Sequence, residues 1–307
     1  MKKILAWVLA LSLLLCGAAF AEEAEEVHVK VGVVGENNEQ WEQVIIPTLA
    51  EEGIIIELVK FSDYIIPNQA LAQGEIDMNA FQHYDFMNNW NEENSAAYGV
   101  TLVGLCDTLI APLCIYSDKI TSLDELKEGD QIAIMNDVVN EARALRMLAG
   151  TGLITLSEDS TELATVADIA ENPLGLEFVE MEAALTPTAM KDPAIAIAFL
   201  NGTHAKDAGL TNDQALLVEE FDFDDESMHG IVNNIAVRAD DIDNPVYQRI
   251  AEVYQSDEVR ALFDTVYAGV YLPAWEAADE TTEATDEATE AADEAADEAE
   301  TEEPAAE

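Results

Sequence analysis

Basic residues are scarce. The 307-residue chain carries 13 Lys and Arg against 63 Asp and Glu, a formal net charge of −50. Such a surface repels phosphate backbones and anionic headgroups, which excludes nucleic acid and direct lipid binding as partners. Catalytic signatures are also missing: there is no Gly-rich phosphate loop, no His-Glu-x-x-His and no Gly-x-Ser-x-Gly. The four histidines (His28, His83, His204, His229) lack metal-ligand spacing. No cofactor, metal or enzymatic reaction is therefore expected. Cysteine is limited to three residues, Cys16, Cys106 and Cys114. Eight residues of extended chain hold Cys106 and Cys114 roughly 26 Å apart, whereas a disulfide needs Cα atoms about 5.5 Å apart. Unless a hairpin falls between them, they are buried thiols.

Long apolar runs are absent apart from Ile4 to Leu15, behind Lys2 and Lys3. A basic start and an apolar stretch of about a dozen residues read as a signal peptide over residues 1–21. The stretch is shorter than the roughly 20 residues of a spanning helix, so an exported protein is expected. Two processing sites compete. Ala19-Phe20-Ala21 fits ordinary signal peptidase, releasing Glu22. Leu13-Leu14-Leu15-Cys16-Gly17 resembles a lipobox, which would acylate Cys16 and tether the chain to the membrane through lipid alone. At the other end, residues 276–307 hold 15 acids and no base. Like charges and the absence of an apolar face predict a disordered tail.

Between these ends, apolar strands alternate with helical patterns. Strands are expected over Val27–Val34, Ile54–Val59, Ile76–Ala80, Gln131–Ile134, Ala194–Leu200 and Ile231–Val237. Helices are expected over Glu39–Glu52, kinked at Pro47, over Asn68–Gln73, from Ser122 through a capping box, and over Glu141–Ala149 closed by Gly150. Further helices follow at Glu182–Leu185, stopped by Pro187, and between Pro245 and Tyr267. Alternation of this kind indicates α/β architecture with parallel, doubly wound sheet. The extended run Leu102–Tyr116, interrupted at Pro112, suits a crossing from one domain to another.

In open α/β sheets, ligands bind outside the carboxyl ends of the strands. Polar and aromatic residues gather at those positions: Tyr64 after the second strand, then Phe81, His83 and Phe86 after the third. Asn140 and Arg143 follow the strand at Gln131, Asn201 follows Leu200, and Asn233 opens the strand at Ile231. Singly, each has a bland reading as core aromatic, turn or surface residue. Together they supply an aromatic wall, a guanidinium and several amides. An Arg fork matches a carboxylate, Asn serves ammonium or carboxylate, and aromatic rings suit an apolar or thioether side chain. Such a set describes a pocket for an apolar α-amino acid.

The motifs carrying these residues resemble the methionine-binding lipoprotein family. They are Phe61-Ser62-Asp63-Tyr64-Ile65-Ile66-Pro67-Asn68, Glu75 to His83, Ile115-Tyr116-Ser117, Asn136 to Leu145, Leu200-Asn201-Gly202-Thr203 and Val232-Asn233-Asn234-Ile235. The resemblance covers roughly residues 27–275. It implies a periplasmic-binding-protein-like fold (type II) with two lobes and a ligand cleft between them, working with an ABC importer permease. Residues 27–112 plus 229–275 would form lobe one, and 113–228 lobe two. The ligand implied is L-methionine or a related amino acid. Tyr64, Phe81, His83 and Phe86 would line the side-chain pocket. Arg143 would hold the carboxylate, Asn201 and Asn233 the amino and carboxylate groups, with Asn140 beside them. Val138 stands where the family usually has Pro, His204 where Tyr is common and Cys114 where Gly is usual. The first two lie near the expected site, which keeps another apolar amino acid or a methionyl dipeptide open as ligand. A reading of another class is a surface-interaction protein acting through its acidic tail.

Overall fold

The structure, a computed structural model, describes residues 26–275. The leader with Cys16 and the acidic tail lie outside the described residues. Ten strands build two sheets: β1 Val27–Val34, β2 Ile54–Phe61, β3 Met78–His83, β4 Leu102–Asp107, β5 Cys114–Tyr116, β6 Gln131–Met135, β7 Glu177–Met181, β8 Ile195–Leu200, β9 Leu217–Val218 and β10 Asn233–Arg238. The first sheet has the order β2-β1-β3-β10-β4 and the second β7-β6-β8-β5-β9. Strands on both sides of the second sheet's sequence feed the first, so the chain passes between the two lobes twice, after β4 and before β10.

The expectation of parallel sheet holds only in part. β1 pairs in parallel with β2 and β3, and β6 with β7 and β8. β10 runs antiparallel to both β3 and β4, and β5 antiparallel to both β8 and β9. The antiparallel strands lie next to the two passages. A strand entering from the other lobe is not delivered by a helical crossover, and the handedness rule for such crossovers does not govern it.

Local chemistry explains the elements. β1 starts exposed and ends buried, following its alternation, and β8 is buried throughout. At Pro47 the chain takes a π-helical turn over Gln40–Ile45 before the α-helix α1, Ile46–Glu51. Residues 39–51 thus stay helical without a break, and the wider π turn lies just ahead of Pro47, whose ring and missing N–H interrupt the regular ladder. Pro187 also departs from expectation. Rather than stopping a helix, it sits in the first turn of Thr186–Ala189, after a 3₁₀ turn at Ala183–Leu185. The helix expected from Ser122 is only a 3₁₀ turn, Leu123–Glu125. Glu125 reaches back to Thr121 N and Oγ1 (3.0 and 2.7 Å), closing a local turn instead of opening a helix.

Three helices matter for the site. They are α2 Ile66–Gln73, α3 Tyr84–Tyr98 and α4 Val138–Gly150. α4 starts three residues earlier than expected because the Asp137 carboxylate accepts the Asn140 N–H at 2.9 Å and caps it. Gly150 is its last residue, and Thr151 closes it. In the first lobe, Trp41, Ile45 and Leu49 pack with Val29, Val31, Val33, Ile250 and Tyr254. In the second, Ile132, Ile134, Leu145, Leu148, Ile197 and Phe199 form the core. Each such side chain is worth about 1.5–3 kcal/mol when fully buried. Cys106 and Cys114 are unpaired thiols, and burial pushes both up, to about 12 and about 11.

Candidate functional site

Both sheets direct strand ends at one cleft. Asp63 Oδ1 accepts the N–H groups of Ile65 and Ile66 (2.7 and 3.0 Å), a turn that carries Tyr64 between β2 and α2. Phe81 lies inside β3, which runs to His83 rather than stopping at Ala80. Phe86 stands in the first turn of α3. Tyr64 stacks on Phe81 with centroids 5.9 Å apart, and Phe86 meets both rings edge-on at 6.2 and 6.0 Å. Behind Tyr64 lies the ring of His204, 5.0 Å away. Tyr64 also packs against the core of the second lobe, so the aromatic wall spans both lobes.

The polar half comes mainly from the second lobe. Asn140 and Arg143, three residues apart, share a face of α4. Asn201 follows β8 and precedes the helix Gly202–Asp207. Asn233 opens β10 directly opposite His83 in the ladder. The cleft leaves about 30 Å³ for the centres of water-sized spheres, within about 360 Å³ of empty space that includes its open mouth. All eight residues expected from sequence line it: Tyr64, Phe81, His83, Phe86, Asn140, Arg143, Asn201 and Asn233. Gln82, Ala111, Gly202 and Thr203 join them. His204 and Val138 do not; Val138 is exposed at the start of α4.

A chain of hydrogen bonds fixes the polarity of the amides. The Asp137 carboxylate can only accept, so Asn140 turns Nδ2 toward it, at 2.9 Å. Asn140 Oδ1 consequently faces the cleft, where Asn201 Nδ2 donates to it at 3.0 Å. Asn201 Oδ1 is left as an acceptor, buried and without a donor from the described residues. His83 joins the same chain. Its Nδ1 accepts the Phe86 N–H at 3.2 Å and caps α3. The ring proton therefore sits on Nε2, which donates to Asn140 Oδ1 at 3.3 Å. Burial, aided by the Arg143 charge, lowers the His83 pKa to about 4, so the ring is neutral at pH 7.

Arg143 is held in a way the sequence did not foretell. Its Nε donates to Glu219 Oε1 at 2.6 Å, and its Nη2 donates to Glu219 Oε2 and to Ala111 O (3.2 Å). Burial opposes the charge of Glu219, but the Arg143 cation and its hydrogen bonds outweigh burial, and the carboxyl ends below its usual range. Arg143 shows the mirror image: burial disfavours its charge, and Glu219 more than restores it. One edge of the fork is thus occupied by the protein, leaving Nη1, which donates to no group among the described residues. Glu219 follows the short strand β9 in a chain with 63 acids, and nothing in the sequence marks it out.

The cleft thus sets a guanidinium Nη1, an amide acceptor and a three-ring aromatic wall around one small space. The model of the NlpA lipoprotein family matches residues 29–275. The D-methionine-binding lipoprotein MetQ of Escherichia coli K12 is 38% identical over 267 residues, covering 87% of this chain and 94% of the relative. The substrate-binding protein of a methionine transporter from Streptococcus pneumoniae superposes with a TM-score of 0.74 at 34% identity, covering 81% of this chain and 96% of that one. A nutrient-binding protein from Burkholderia cenocepacia, solved bound to methionine, gives 0.73 at 34%, covering 80% and 100%. With most of its length matched in sequence and in fold, the chain belongs to the NlpA lipoprotein family.

Proposed function

We propose that this protein captures methionine outside the cytoplasm and delivers it to the permease of an ABC importer. The observation that carries the reading is Asn201 Oδ1, a buried acceptor whose orientation is dictated from Asp137 through Asn140. Buried polar groups are nearly always paired, and an α-ammonium supplies the donor this one lacks. Arg143 Nη1 then takes the carboxylate, aided by Asn233. Tyr64, Phe81 and Phe86 enclose the thioether, where sulfur–ring contacts add about 0.3–1.5 kcal/mol each. His83 keeps Asn140 oriented and contributes its ring face.

Lobe one comprises residues 27–112 plus 229–275 and lobe two 113–228, a division supported by which strands enter which sheet. Delivery requires the lobes to open and close around the ligand. Contacts across the cleft suit that movement. The Asp207 carboxylate accepts the Glu36 N–H at 3.3 Å and the Asn37 amide, and Lys206 Nζ lies 3.9 Å from Glu39. Water can solvate these polar groups as the lobes part, alongside the Tyr64 packing and the His83–Asn140 and Arg143–Ala111 hydrogen bonds that also bridge the lobes.

Calorimetric titration with methionine tests the assignment. The wild type is expected to saturate at one site. Asn201→Leu is expected to weaken binding about 10- to 150-fold, the worth of a hydrogen bond to a charged group. A wild type that does not bind methionine, or an Asn201→Leu variant that binds it equally well, sinks the proposal.

A further inference from the structure

Glu219 lies behind Arg143, outside the cleft lining, and uses the Nε–Nη2 edge of the guanidinium. Its Oε2, which accepts from Arg143 Nη2, also accepts the Leu113 N–H at 3.1 Å. The charges around Arg143 can be followed element by element. His83 is neutral at pH 7, and so is the Cys114 thiol, which burial pushes up to about 11. The Asp137 carboxylate is committed to the first turn of α4. Asp85 on α3 acts on Arg143 more weakly than Glu219 does, and the charges of Arg146, Glu162 and His229 act on Asp85 in turn. Glu219 is therefore the charge that balances Arg143. A buried carboxylate ligand arriving without a cation would leave the site with an excess negative charge, which is costly away from water. An amino acid brings its own ammonium, and Asn201 Oδ1 receives it.

Building on the proposed methionine site, we infer that Glu219 is a positioning and specificity residue: by neutralising Arg143 it restricts the cleft to zwitterions and rejects the same side chain borne on a simple carboxylate. Glu219 touches no part of the ligand. It limits Arg143 to a one-nitrogen grip and cancels the long-range attraction the cation would exert on any anion.

The test compares methionine with its des-amino analogue, 4-(methylthio)butanoate, on the wild type and on Glu219→Gln. The wild type is expected to favour methionine by about a hundredfold, within the range of a charged hydrogen bond. In Glu219→Gln that ratio is expected to fall at least about tenfold, because the unbalanced guanidinium now attracts the anion. Glu219→Asp, which keeps the charge, is expected to keep the ratio while losing affinity for both ligands. A purely structural role lowers both affinities together, so an unchanged ratio in folded Glu219→Gln overturns the inference while the methionine reading stands. A wild type that ignores methionine overturns both. Should Glu219→Gln fail to fold, calorimetry of the wild type at pH 5.5 in two buffers of different ionisation enthalpy takes its place. Proton uptake with the des-amino acid and none with methionine supports the inference; no uptake with either overturns it.

Discussion

At the scale of single residues, all eight side chains expected from sequence meet around one cleft, but their division of labour differs from the expected one. Arg143 was expected to grip a ligand carboxylate with both prongs, and that reach is shared with Glu219. The difference changes what a truncation does. Arg143→Ala strands a buried carboxylate, and breaking one side of a buried pair costs about 3–5 kcal/mol. Urea unfolding should show that loss, and adding Glu219→Gln to Arg143→Ala should recover at least about 1 kcal/mol of it. If the double variant is no more stable than the single, the pair is not what holds the site. His83 sets a pH dependence. Its folded pKa, about 4, lies below the ordinary imidazole value of 6.5. Between those two values the unfolded chain takes up the proton and the folded one does not. Stability is therefore fully present above pH 6.5 and is lost as pH falls toward 4, by up to roughly 3 kcal/mol. Measured between pH 7 and pH 5, His83→Asn should lose less stability than the wild type; an equal loss would show that His83 does not titrate this way. Why Glu219 stayed hidden is physical. Pairing depends on where a turn places a side chain, and one acid among many carries no periodic or spacing signal.

At the scale of elements, the strands and the main helices were legible because burial imposes period and composition on them. β8, six apolar residues buried on both faces, could hardly be read otherwise. What misled were the boundaries, where side chains compete for backbone groups. Asp137 pulled α4 forward, Glu125 closed a turn in place of a helix, and Pro187 entered the first turn of a helix that it was expected to stop. The pair Asn201-Gly202 reads as a plain turn, yet the glycine has a packing reason. A Cβ at Gly202 would stand 2.9 Å from Ala111 Cβ and 3.0 Å from the Tyr271 ring. Gly202 opens the helix of lobe two that meets these lobe-one residues, so its lack of a side chain lets the lobes approach. Gly202→Ala is accordingly expected to weaken methionine binding about tenfold or more, while urea stability changes by less than about 1 kcal/mol, since alanine favours a helix over glycine. Crowding at the lobe contact would then be read as lost affinity; an unaffected Kd would mean that the lobes close without this approach.

At the scale of the molecule, the sequence suggested a crossing between domains at Pro112, and two lobes through its resemblance to the methionine-binding lipoprotein family. It did not announce the mixed sheets, because strand direction after a passage between lobes depends on the whole path of the chain and not on local residues. The extreme charge belongs at this scale too. It repels itself at every pH where carboxylates are ionised, and salt screens that repulsion over about 8 Å at physiological ionic strength. The tail of residues 276–307 adds 15 of the negative charges, whereas the ligand cleft is internally balanced by Arg143 and Glu219. Trp275, at the border, belongs to the folded part. Its ring meets Tyr254 and Phe263 edge-on at 5.8 and 5.4 Å, and its carbonyl accepts a hydrogen bond from Arg260. Two truncations separate these roles. A chain ending at Trp275 should bind methionine with the wild-type Kd and show a smaller rise in Tm between 20 mM and 300 mM NaCl. A chain ending at Ala274 should lose about 3 kcal/mol of stability with the missing indole. If removing only the tail lowered methionine affinity, the acidic segment would be part of the binding function and the surface-interaction reading would regain its ground; unchanged affinity with weaker salt dependence assigns the tail to the molecule's field and leaves recognition to the cleft.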